Sequence, residues 1–100
     1  MDNQSQQIIV TGLVQGVGFR PFVFRMAKLF ELTGWVQNTN ENVKIQVTGT
    51  PQNLQLFLHS LKEDAPVAAM IEAITAVEMA TQPFTEFQIL VSHDVSEEIT

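Results

Sequence analysis

One hundred residues, 45% of them apolar and 16% charged, supply one hydrophobic core and leave little room for a second. That composition excludes a disordered chain, and a formal net charge of −6 gives a surface that repels phosphate backbones, which argues against nucleic-acid binding. With no cysteine there is no thiol nucleophile, disulfide, Cys-based zinc site or iron–sulfur ligation, and the chain suits a reducing, cytoplasmic setting.

Strand and helix patterns alternate along the chain. Gln7–Leu13 is rich in Ile, Val and Thr and apolar on both faces, as a central strand would be. Val14–Arg20 follows, broken by Gly16 and Gly18. Phe22, Val23, Met26, Leu29 and Phe30 then recur at helical spacing, so Pro21–Leu32 is expected to be helical. Pro21 would be the first helical residue and Gly34 the C-cap. Trp35–Asn38 is a short strand. Thr39–Asn42 is a polar turn in which Asn40 and Asn42 tolerate left-handed backbone. Val43, Ile45 and Val47 alternate with Lys44, Gln46 and Thr48 as in a half-buried strand. Thr50 and Pro51 cap and open a second helix with the stripe Leu54, Phe57, Leu58 and Leu61. Ile71–Met79 and the alternation Phe87, Ile89, Val91 complete the strands, and Met26, Met70 and Met79 are expected to fill the core.

This order predicts an α+β, ferredoxin-like α/β sandwich: βαββαβ plus a C-terminal strand, an antiparallel sheet with two helices on one face. Residues 1–92 form the domain and 93–100 a polar, acidic tail. No apolar run of 18 residues occurs, and no charged start precedes a short apolar run, so neither a membrane span nor a signal peptide is expected. His59 and His93 have no second ligand at metal spacing, so no metal is expected. No cofactor is expected either. Phe19, Phe22, Phe24 and Phe30 lack the basic groove that base-stacking proteins place beside such rings, and are read as core.

The chemistry concentrates in Val14-Gln15-Gly16-Val17-Gly18-Phe19-Arg20-Pro21, which joins a strand to a helix N-terminus. Its glycines permit tight backbone, and successive amides there can converge on an anion. The helix start adds a positive dipole end, and Arg20 adds a planar fork matched to phosphate oxygens. The spacing fits neither the Walker A loop nor the dinucleotide-binding fingerprint. Taken alone, such a turn is more often structural than functional.

The segment "GLVQGVGFRPF" resembles the acylphosphatase signature, and "GWVQN" resembles the second signature of that family. The similarity runs from about Ile8 to about Ser92. Arg-Pro-Phe-Val after the loop and the stretch "APVAAMIEAI" are similar to one branch, the N-terminal domains of the hydrogenase-maturation carbamoyltransferases (HypF). Asn42 stands where a glycine usually follows the motif asparagine, and a positive backbone angle is expected there. The resemblance implies hydrolysis of a small acyl phosphate, carbamoyl phosphate in the HypF branch, by a domain of a longer chain. It implies that Arg20 and the amides of Gln15, Gly16, Val17, Gly18 and Phe19 hold the phosphoryl group. Asn38 would position the attacking water. The alternative is a non-catalytic anion-binding or docking module of a larger protein.

Overall fold

The computed structural model describes residues 3–91, which form seven elements. They are β1 (Gln4–Leu13), α1 (Phe19–Leu29), β2 (Thr33–Asn38), β3 (Val43–Gly49), α2 (Pro51–Glu63), β4 (Met70–Met79) and β5 (Phe87–Ile89). The expected tail falls outside the described residues.

The strands lie side by side in the order β4-β1-β3-β2-β5. β3 pairs antiparallel with both β1 and β2, so Ile8, Ile45 and Val36 form one row across the sheet centre. All three are fully buried. Their alternation with Gln7, Lys44, Gln46 and Gln37 turns one face of the sheet toward the helices, as period-two patterning requires. Phe22, Val23 and Ala27 of α1, with Leu54, Phe57 and Leu61 of α2, close the same core. The Phe24 and Phe87 rings meet edge-on at 6.2 Å and seat β5 against α1. The fold is the expected ferredoxin-like α+β sandwich.

The sheet is mixed where a wholly antiparallel one was expected, because β5 runs parallel to β2. The split βαβ unit makes β1 and β2 co-directional, and β3 and β4 run against them. One more reversal after β4 therefore brings β5 alongside β2 in the same direction. That reversal is pinned by Gln82, whose amide donates to Ser5 Oγ at 2.8 Å and whose carbonyl accepts from Thr48 Oγ1 at 3.0 Å.

Other boundaries shift for local reasons. α1 opens at Phe19, two residues before Pro21. Proline is tolerated at the third helical position because first-turn amides have no intrahelical acceptor. The helix stops at Leu29, with Glu31 at φ 56, so the left-handed residue after it is Glu31 and not Gly34. Asn42 does not take a positive φ; Glu31 alone among the described non-glycine residues does. Met70 is 68% exposed, because it opens the edge strand β4 away from the helices. β5 ends at Ile89, and Val91 lies beyond it, exposed.

Gly34 has a different task. It lies inside β2 at φ 135, and a Cβ there would sit 1.9 Å from the Gln46 carbonyl oxygen. The contact is backbone against backbone and cannot relax by a rotamer change. Gly34→Ala is expected to lower the unfolding free energy by about 3 kcal/mol, the range of strained-backbone substitutions in a core. Gly16→Ala, where a Cβ would meet nothing within 4 Å, should carry only a left-handed backbone penalty of about 1 kcal/mol. Urea unfolding of the two variants checks the difference.

Candidate active site

β1 and β2 run in the same direction, so their C-terminal ends open on the same edge of the sheet. The first end leads into the loop 14–18, and the second ends at Asn38. The two meet in a cleft of about 230 Å³ lined by Val14, Gly16, Gly18, Phe19, Arg20, Pro21 and Asn38. Arg20, Asn38 and most of the loop are thus brought together as expected from the sequence. Gln15 and Val17 belong to the loop but do not line the cleft.

Val14 and Phe19, each 1% exposed, anchor the loop in the core at both ends. Between them, Gly16 at φ 75 and Gly18 at φ 80 are left-handed, while Gln15 and Val17 are not. Alternation of this kind turns successive amides toward one side. Among the described residues, none of the amides of residues 15–20 donates to a backbone carbonyl. The first that does is Phe22, to the Gly18 carbonyl at 3.2 Å. Gly18 is the N-cap of α1 and offers no side-chain acceptor to the helix start. The positive end of the α1 dipole therefore faces the cleft with its amides uncommitted.

Arg20 is the second residue of α1 and is half-buried. Its Nη1 donates to the Leu90 carbonyl at 3.2 Å. Leu90 is in turn held by its amide to the Val36 carbonyl at 2.8 Å, and Gln37 Nε2 donates to the Val91 carbonyl at 2.8 Å. The segment just after β5 thus holds the guanidinium from the side, leaving other N–H groups of its five free to serve the cleft. Nothing in the sequence signalled this contact, which joins residues 70 apart.

Asn38 closes β2, paired with Val43, and is 8% exposed. Its Oδ1 is buried with no hydrogen-bond partner among the described residues. An unsatisfied buried acceptor costs about 1–3 kcal/mol, so one at a cleft wall is a place for a donor from outside the chain. The turn after it is closed by Thr39, whose amide and Oγ1 donate to the Asn42 carbonyl at 2.9 and 3.2 Å. The Gln15 side chain crosses from the loop to this turn, and its Nε2 donates to the Thr39 carbonyl at 2.7 Å and the Asn42 carbonyl at 2.9 Å. No group of three or more His, Asp or Glu side chains able to hold a metal occurs among the described residues, and His59 is exposed on α2. No helix among them is long and apolar enough to cross a membrane.

Comparison with known proteins agrees with this geometry. The family model described as acylphosphatase matches residues 6–89. A probable carbamoyltransferase HypF of Methanocaldococcus jannaschii is 37% identical over 93 residues, which are 92% of this chain and 12% of that protein. The acylphosphatase of Bacillus licheniformis is 36% identical over 84 residues, 83% of this chain and 93% of that protein. The crystal structure of full-length HypF in a phosphate- and nucleotide-bound form superposes with a TM-score of 0.91 at 35% identity, over 94% of this chain and 12% of that one. The chain therefore spans nearly the whole of a stand-alone relative and 12% of the HypF proteins compared.

Proposed function

Because the chain belongs to the acylphosphatase family, we propose that the cleft between the loop 14–18 and Asn38 hydrolyses the carboxyl–phosphate bond of small acyl phosphates. The observation that carries the reading is the convergence on one cleft of three features with hydrogen-bonding capacity to spare. These are loop amides without backbone acceptors, the guanidinium of Arg20, and the unpartnered Oδ1 of Asn38.

In this reading the amides of Gln15 to Arg20 and the Arg20 fork receive the phosphoryl oxygens. A water donates one hydrogen to Asn38 Oδ1, which turns its lone pair toward phosphorus. The bond from water oxygen to phosphorus forms as the bond from phosphorus to the carboxyl oxygen breaks. The carboxylate leaves, and a phosphoryl oxygen takes the water's proton, so no side-chain base is required. The chain's part is positioning and stabilisation of charge on the phosphoryl oxygens, which is where phosphoryl transfer gains most of its rate.

The likeness to HypF supports a finer proposal: carbamoyl phosphate as the substrate, handled by this chain as the N-terminal domain of a longer, cytoplasmic carbamoyltransferase.

Two substitutions test the roles. Arg20→Ala should lower kcat/KM toward acyl phosphates by at least a hundredfold, the usual effect of removing one charge-stabilising donor, and lysine should restore little of it because it lacks the bidentate fork. Steady-state kinetics within threefold of wild type would sink the assignment.

Asn38→Ala should lower kcat strongly while the inhibition constant of inorganic phosphate changes less than twofold, the pattern of an interaction made in the transition state alone. Parallel kinetics and phosphate inhibition measurements check it. Loss of phosphate affinity with kcat intact would move Asn38 into the anion site.

A further inference from the structure

We propose that Gln15 is a positioning residue, which sets Asn38 against the phosphate loop through the turn that follows β2. The inference rests on the reading of Asn38 as the residue that holds water. It differs from the role expected from the sequence, where Gln15 counts only as one more amide of the cradle.

Both hydrogens of the Gln15 carboxamide are committed. One meets the Thr39 carbonyl at 2.7 Å and the other the Asn42 carbonyl at 2.9 Å. The side chain therefore has no donor left for a phosphoryl oxygen, and its own oxygen would repel one. What it grips is the carbonyl of Thr39, the residue that follows Asn38, and that of Asn42 across the turn. Strand pairing stops at Asn38 and Val43, so beyond that pair the ladder no longer fixes the backbone. From there the turn is held by Thr39 on Asn42 and by Gln15 on both. The Asn38 carboxamide oxygen has no partner of its own among the described residues. Its place is set by backbone and packing, which makes the grip on the residue that follows it matter.

The same residue leads directly into Gly16 and Gly18, which line the cleft. Gln15 is thus one rigid link between the groups that hold phosphorus and the group that holds the attacking oxygen. In-line displacement depends on that separation, and a misplacement of about 1 Å can reduce rate on the order of a hundredfold. A residue that only stabilises the fold would lower activity in proportion to unfolded protein. A positioning residue lowers kcat in folded protein and leaves anion affinity alone.

The test uses the full chain with Gln15→Met, which keeps length without donors, and Gln15→Glu, which turns a carboxylate toward the two carbonyls. Each should fold and lower kcat roughly ten- to a hundredfold, with KM and the phosphate inhibition constant within twofold. In an Asn38→Ala background the same changes should lower kcat less than twofold further, because the link then has nothing to position. Equal losses in both backgrounds, or phosphate affinity falling in step with kcat, would overturn the proposal. If Asn38→Ala alone leaves kcat unchanged, it is the reading of Asn38 that fails, which the single variant reveals separately. A measurement on the unmodified chain guards against unfolded variants. On titration with inorganic phosphate, the backbone amide resonances of residues 16–20 should move and the side-chain amide pair of Gln15 should not. Equal movement of both would place Gln15 on the anion and overturn the inference.

Discussion

Everything at the cleft depends on β3 lying between β1 and β2. A strand antiparallel to two neighbours makes those neighbours parallel, so the exits of β1 and β2 open on one edge of the sheet. The loop 14–18 and Asn38 are brought together by that pairing and by nothing local, since more than a dozen residues of helix and connection separate them. The pairing is held by the row Ile8, Ile45 and Val36, each fully buried, and by the close approach of backbone at Gly34. A one-residue slip of β3 would turn Val43, Ile45 and Val47 to the wrong face and leave Lys44 and Gln46 in the core. Register in the sheet centre and geometry in the cleft are therefore one constraint.

Much of this was legible in the residues because it is local. The alternation of Val43, Ile45 and Val47 marks β3, and the stripe Leu54, Phe57 and Leu61 marks α2. Gly16, Gly18 and Arg20 pointed to one wall of the cleft, because backbone freedom and a fixed charge are properties of residue type, while Asn38 was pointed to only by the resemblance of "GWVQN" to a family signature. What was hidden is non-local. Gly34 looks like a helix terminator until β3 is placed beside it, when its missing Cβ is seen to make room for the Gln46 carbonyl. The parallel direction of β5 follows from the topology of the whole sheet and not from the short apolar run Phe87 to Ile89. The carbonyl of Leu90 on Arg20, and Gln15 on Thr39 and Asn42, are contacts over 70, 24 and 27 residues, with no periodicity to announce them.

The two helices of the chain show by contrast what the α1 terminus is shaped for. α2 begins conventionally: Thr50 caps it, accepting from the Asn53 amide at 3.2 Å, and Pro51 fills the first position. Its start is satisfied from within the chain. At α1 each of those devices is altered. The cap is Gly18, left-handed and without an oxygen to offer, and proline sits at the third position, where it removes one amide that would need a partner. Replacing a good cap by glycine costs only a few tenths of a kcal/mol, so the open terminus is cheap in stability. A serine or aspartate at that place would have accepted from the Arg20 amide and competed with any anion for it. In a chain of net charge −6 the long-range field does not favour anions, so selectivity for one must come from groups within hydrogen-bond reach. The loop amides, the helix start and Arg20 supply such groups in a single turn of chain, so in the proposed reading a phosphoryl group would be held there by direct contact and not by the field of the whole protein.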